Sequence, residues 1–323
     1  MSFDPCRAFL EARQISIYFA AVLSAFLAAW VLPGMRGLSV AIDALLALML
    51  FVTFVQVPMG DVGRALSDLR FVGTLLLANF IVLPALLTFL LPWVPGDPLI
   101  RIGVLMVLLT PCIDYVVTFA HLGRADARSL LAATPVLLLC QMLLLPFYLG
   151  LFLGEEAARR ISWEPFAHAF VWFIALPLAL ATICQSWAAR GAAGKRGVQW
   201  LGLMPVPATA ALLWVVVASV TPELGQAWPA VGEVVPVYAA FALLAPIAGW
   251  LTGWMLRLPP AQRRAVAFSS ATRNSLVVLP LALAIPGALP VLPAVIVTQT
   301  LIELLAELVY VRVGRGGSPD ERG

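Results

Sequence analysis

Three groups of reactive side chains stand inside stretches otherwise too apolar to hold them. In the first, Thr110, Pro111, Cys112 and Asp114 fall within five residues near the middle of an apolar run. A proline inside a helix removes a backbone donor and clashes with the preceding turn, so the run is expected to kink or open at Pro111. Amides freed at such a point, and the start of the half-helix that follows, favour a thiolate at Cys112 and make it a soft ligand. A cysteine alone in an apolar helix otherwise reads as a small hydrophobe. Cys140 and Cys184 read that way, and Cys6 precedes the first apolar run.

The second group is Ser269, Ser270, Thr272, Arg273, Asn274 and Ser275, five hydroxyl or amide side chains and one guanidinium within ten residues. No helix facing lipid carries that load, because each unsatisfied polar group in hydrocarbon costs several kcal/mol. The third group is Glu303 and Glu307, four apart and so on one helix face, with Gln299 on the same face. Glu303 reads as the deeper carboxylate and the better proton carrier, Glu307 as one that reaches water near the helix end. Asp114 and Arg273 are expected at comparable depth. They read either as a structural salt bridge or as a switchable pair, since a buried ion pair is weak evidence of stability. Ionisable groups inside a membrane helix cost from about 2.5 kcal/mol upward, which makes each a functional candidate. Asp43, Glu233, His121 and His168 read as interfacial, and Gln56 to Pro58 and Asn79 as points of irregular helix.

The elements that hold these groups follow from composition. The chain has 323 residues, 62% of them hydrophobic and 11% charged, with a mean hydropathy of +0.98. Soluble domains are about half apolar and about a quarter charged. The excess excludes a soluble enzyme, a nucleic-acid binder and a disordered chain, and leaves an all-α integral membrane protein. A net charge of +3, scattered, gives nucleic acid nothing to bind. The four cysteines are far apart, without CxxC spacing or a disulfide framework. Arg7 and Arg13 precede an apolar run long enough to span and without a clear cleavage site, which reads as the first transmembrane helix rather than a cleaved signal.

At about 20 residues per crossing, ten runs qualify: Ile15–Leu32, Val40–Met59, Phe71–Leu91, Arg101–Leu122, Ser129–Leu153, Pro165–Ala188, Val198–Val220, Val231–Leu256, Arg263–Ala284 and Leu289–Val313. Alternating their connections between two sides places fifteen Lys and Arg residues on one side and four on the other, with Arg273 inside a span. Positive charge stays in the cytoplasm, so both termini are expected there, in the cell membrane.

The loop Gly154–Glu164 divides the ten runs into five and five, residues 1–153 and 165–323. An odd number per half means two inverted five-helix repeats. At an offset of about 162, Gln141 falls opposite Glu303, Tyr148 opposite Tyr310, and Pro111 and Cys112 opposite Arg273 and Asn274. Inverted repeats are characteristic of secondary transporters, whose substrate sits near the midplane where discontinuous helices meet. Broken, crossing helices are expected in spans four and nine.

The sequence Thr110, Pro111, Cys112, Ile113, Asp114, followed by Leu122 to Asp126 and an apolar fifth span, resembles the arsenite-efflux permeases of the bile acid/arsenite/riboflavin transporter superfamily. Leu301, Ile302 and Glu303 of the tenth span, followed by apolar residues, are similar to their last helix. The resemblance covers the whole chain and implies the bile acid:sodium symporter-like fold. It also implies Cys112 and Glu303 as the functional pair, to which the two broken spans add Thr110, Pro111, Asp114, Arg273 and Asn274 as expected substrate-binding or coupling residues. The implied activity is arsenic resistance by export of arsenite, or antimonite, in exchange for protons (an antiporter), with no cofactor, no metal centre and no enzymatic step. The sodium-coupled branch resembles this pattern too, with an acidic residue and a Gln-Asn pair in its ninth helix. Here that stretch runs Ser269 to Asn274 with Arg273 in place of the Gln and no carboxylate, which argues against sodium. Arg273 also keeps open an organic-anion symporter of the same fold, with Arg273 on a carboxylate or sulfonate. A membrane enzyme or receptor finds no nucleophile motif, metal-ligand spacing or effector domain.

Overall fold

The computed structural model describes residues 4–32, 34–56, 68–113, 115–153, 168, 171–283, 285 and 291–316. They are almost wholly helical and form no sheet. Among them, eight windows are long and apolar enough to cross a bilayer: Ala12–Val31, Gly37–Gln56, Leu69–Trp93, Ala127–Leu153, Val171–Arg190, Ala192–Pro222, Ala227–Met255 and Val291–Gly314. Their outer faces carry exposed Leu, Phe and Trp side chains such as Leu27, Leu143, Phe147 and Trp228. Apolar surface on this scale has to be covered, and here lipid covers it. The chain is a multi-pass membrane protein.

The fourth and ninth expected runs are absent from the eight because each is cut in two. Helix α1 (Pro98–Leu108) and α2 (Val116–Leu122) share the fourth, and α3 (Pro260–Ala271) and α4 (Ser275–Leu283) share the ninth. Every half is shorter than a bilayer crossing.

Some helices begin before their apolar run, because a capping carboxylate starts them. Asp97 accepts hydrogen bonds from the Leu99 and Ile100 amides at 2.8 and 3.1 Å, with Pro98 in the first turn. Asp126 does the same ahead of Ala127–Leu153, taking the Ser129 amide at 3.0 Å and the Ser129 hydroxyl at 2.7 Å. Pro205, Pro207, Pro236 and Pro246 all lie within helical geometry at Pro205–Met255, which contains the membrane-length window Ala227–Met255 and the end of Ala192–Pro222.

The chain divides into two compact units, and each takes residues from both halves of the sequence. The first unit is Met1–Met59 with Trp163–Ala227. In it Gln185 Nε2 donates to the Phe54 and Val55 carbonyls at 3.2 and 3.1 Å, tying the helix Leu176–Arg190 to Ile42–Gln56. The second unit, Gly60–Ser162 with Trp228–Gly323, contains both broken helices. Its core includes Leu75, Leu105, Val107, Phe119, Leu137, Val278 and Val295. Two of its glycines admit close neighbours: a Cβ on Gly123 would lie 2.3 Å from the Phe268 ring, and one on Gly249 2.3 Å from Ser270 Oγ.

Within the second unit one contact recurs. The Tyr148 hydroxyl donates to the Phe80 carbonyl, and the Tyr310 hydroxyl donates to the Ala242 carbonyl. Both members of the second pair follow those of the first by 162 residues. Of the points of irregular helix expected from sequence, Asn79 lies in a π-helical segment, Ala78–Val82. Gln56 ends its helix, and Val57 and Pro58 lie outside the described residues. The linker 154–164 lies outside them too.

Candidate functional site

Two broken helices in hydrocarbon leave backbone groups that water cannot satisfy. Here the breaks satisfy each other. Pro111 and Arg273 face one another in an isolated antiparallel bridge. The Asn274 amide donates to the Thr110 carbonyl at 2.9 Å, and the Cys112 amide to the Thr272 carbonyl at 3.0 Å. These two bonds are also related by 162 residues: Cys112 corresponds to Asn274, and Thr110 to Thr272. Thr110 closes α1 by donating its hydroxyl to the Met106 carbonyl at 2.9 Å. Asn274 opens α4, where its Oδ1 accepts the Val277 amide at 3.4 Å. That leaves the Asn274 Nδ2 buried and without a partner among the described residues.

The peptide group between Thr272 and Arg273 is used on both faces. Its carbonyl takes the Cys112 amide, and its N–H donates to Glu303 Oε2 at 2.6 Å. Glu303 accepts two further donors, the Tyr115 hydroxyl at 2.6 Å and Gln299 Nε2 at 2.6 Å. Ser275 fixes which way Gln299 points by donating to its Oε1 at 2.7 Å. Three donors, one charge-assisted contact each, make a strong cradle for a buried carboxylate.

The terminal nitrogens of Arg273 make their hydrogen bonds to other acceptors. Its Nη2 donates to Asn79 Oδ1 at 2.8 Å and to the Ser269 and Ser270 carbonyls at 2.5 and 2.7 Å, and its Nη1 to the Leu108 carbonyl at 3.3 Å. Its Cζ lies 5.6 Å from the centre of the Phe241 ring. Asn79 is held in turn by donating to Leu75 O and Ser269 Oγ, both at 3.0 Å. Arg273 is fully buried; its two terminal nitrogens are met by oxygen atoms of the protein itself, while its Nε has no partner among the described residues.

Six sequence candidates therefore converge: Thr110, Pro111, Cys112, Arg273, Asn274 and Glu303. Asp114 lies outside the described residues, and with it the Asp114–Arg273 pairing. Cys112 is completely buried at the crossing. Cys140 and Cys184 sit half-buried on other helices, and Cys6 is exposed.

Glu307 differs from expectation. It does not reach water: it is fully buried, because α1, α2, α3 and α4 all pack on the helix Val291–Gly316. Its Oε1 is in hydrogen-bond contact with the Thr272 hydroxyl. His121, His168, Asp43 and Glu233 are exposed.

Two residues of the crossing, Tyr115 and Asn79, were not expected from sequence as site residues. Tyr115 gave only its position, three residues after Cys112. Asn79 was noted for its irregular helix, not as a partner 194 residues from Arg273. Gln141 is fully buried with neither amide atom partnered among the described residues. By the 162-residue offset it corresponds to Glu303, whose donor is the Arg273 amide. Its own opposite number, Pro111, has no amide hydrogen to offer.

The sequence pattern of the sodium bile acid symporter family matches residues 44–226. The matched stretch includes the break at Thr110, Pro111 and Cys112 and stops short of Arg273 and Glu303. No curated protein matches the chain. A match over more than half the length, on a membrane protein, places it among transporters: the chain belongs to the sodium bile acid symporter family.

Proposed function

We propose that the chain exports trivalent arsenic (arsenite, and antimonite by the same chemistry) across the cell membrane in exchange for protons. Ten helices in two inverted repeats, with both termini in the cytoplasm, would give the alternating access this requires. The observation that carries the reading is the shared peptide group between Thr272 and Arg273, which ties the Cys112 backbone to the Glu303 carboxylate. The recurrence of contacts at 162 residues supports the repeat.

Arsenous acid is uncharged at neutral pH, so a charged pocket gains little from it. A thiol does: Cys112 displaces one hydroxyl, forming an S–As bond, and the hydroxyl leaves as water with the thiol proton. One thiol gives reversible capture, as transport needs. Among the described residues no three His, Cys, Asp or Glu side chains gather as a metal trap would require. Glu303 supplies the proton site one peptide group away. On the far side water cleaves the S–As bond, its hydroxyl leaving on arsenic as arsenous acid and its proton returning to the thiol, and Glu303 couples that event to the proton gradient.

The family's name describes sodium symport of bile acids, and an anion symporter was the competing reading. Arg273 is the residue that reading needs. Both of its terminal nitrogens are already committed to Asn79, Ser269, Ser270 and Leu108. Recruiting it to a substrate would strand those acceptors in a buried site. A fixed guanidinium among carbonyl oxygens also stands where a free cation would otherwise be welcome.

The test is arsenite accumulation in everted vesicles under an imposed pH gradient and, separately, a sodium gradient. The proposal expects accumulation with the first and none with the second. Sodium-driven accumulation would overturn proton exchange, and no accumulation under either would overturn arsenic export.

A further inference from the structure

Glu307 has no part in the scheme above, yet it is a fully buried carboxyl one turn from Glu303. The two differ sharply in what meets them. Glu303 receives a backbone amide, a phenol and a carboxamide. Glu307 meets one hydroxyl, that of Thr272 at its Oε1, and its Oε2 has no partner among the described residues. The buried cation among the described residues is Arg273, and its guanidinium serves other acceptors.

Two carboxylates one turn apart in a low-dielectric interior cannot both stay ionised when a single cation is near. The donors decide which of them keeps its charge. Three are aimed at Glu303, so the negative charge belongs there. Glu307 is left with the proton. The contacts around Thr272 close on that assignment. Its hydroxyl lies 2.8 Å from the Phe268 carbonyl as well as against Glu307, and a hydroxyl has one hydrogen to give. With Glu307 as the acid, Glu307 donates to Thr272 Oγ1 and Thr272 donates to Phe268 O, so each hydrogen has an acceptor.

We propose that Glu303 and Glu307 form a carboxyl pair sharing one proton, with Glu307 the residue that holds it in this conformation. The inference rests on the proton-coupled reading. It adds a second proton site to it, next to Thr272, the residue whose carbonyl receives the Cys112 amide. Transfer moves one proton from a Glu307 oxygen to a Glu303 oxygen and leaves the charge of the pair unchanged. The other titratable groups near the pair are Tyr115, whose hydroxyl donates to Glu303, Arg273, whose amide does so, Cys112 across the Thr272 carbonyl, and Tyr310 on the same helix. From the packed helices, Arg263 and Arg264 of α3 line a groove of about 580 Å³ together with Tyr310. His121 of α2 is exposed.

The experiment is infrared spectroscopy of the full-length protein in lipid nanodiscs without substrate, reading the carboxylic-acid C=O stretch and its deuterium shift at neutral pH. The parent is compared with Glu303→Gln and Glu307→Gln, each checked for a parent-like thermal midpoint. Glutamine has the shape of the neutral acid, so Glu307→Gln is expected to keep the fold. The proposal expects a band lost in Glu307→Gln and retained in Glu303→Gln. A band that survives Glu307→Gln unchanged, or that disappears only in Glu303→Gln, overturns it. Because no arsenic is present, this result stands or falls apart from the arsenite assay.

Discussion

Cys112 and Glu303 meet opposite faces of a single peptide group: the Thr272 carbonyl accepts the Cys112 amide at 3.0 Å, and the Arg273 N–H donates to Glu303 at 2.6 Å. Neither residue is near the other in sequence. The contact exists because two helices break at the same point and close each other's backbone. A change at the carboxylate therefore has a short route, two hydrogen bonds across one peptide group, to the segment that carries the thiol, which is what coupling between proton and substrate requires.

Arg273 is the structural centre of the crossing. Arg273→Met would strand Asn79 Oδ1 and three carbonyls, and breaking a buried charged network of this kind costs about 3–5 kcal/mol. Arg273→Lys keeps the charge with fewer donors and is expected to recover part of that loss. Thermal unfolding in detergent measures both. A Met variant as stable as the parent would contradict the committed guanidinium.

Gly249 lets its helix lie against Ser270, whose carbonyl accepts from Arg273. Overpacking of a tight contact costs about 1–3 kcal/mol. Gly249→Ala should lower the thermal midpoint and reduce transport by moving α3. A control at Gly73, where an added Cβ meets nothing within 4 Å, should leave the midpoint near that of the parent.

Gln141 is buried without partners among the described residues, and a polar group left so costs about 1–3 kcal/mol. Gln141→Leu is expected to stabilise the protein by roughly that much, read as a higher thermal midpoint in detergent. A Leu variant less stable than the parent would contradict an unpartnered amide.

The breaks themselves were legible in the sequence. Pro111 cannot continue a helix, and five polar side chains around Arg273 cannot face lipid. What the sequence did not disclose was pairing over distance. Asn79 shows as an amide in an apolar run, with nothing to indicate that a π-helical turn aims it at Arg273. Glu307 misled because its place near the helix end suggests water, while its exclusion from water depends on four other helices packing over it. The division into two units, each drawing on both halves of the chain, is likewise a product of packing that hydropathy does not record. Asp126 and Asp97 were visible all along as caps, yet the helix starts were read from apolar character and set two or three residues late.

The most direct measurement compares arsenite accumulation under a pH gradient in vesicles holding the parent or Cys112→Ser at equal protein levels. Serine keeps the size and the backbone hydrogen bond to the Thr272 carbonyl and loses the soft ligand, so the fold should persist. The account predicts a loss of at least about tenfold, a difference of roughly 1.4 kcal/mol or more. Parent-like accumulation by a folded Cys112→Ser protein would contradict a thiol-based site at the crossing.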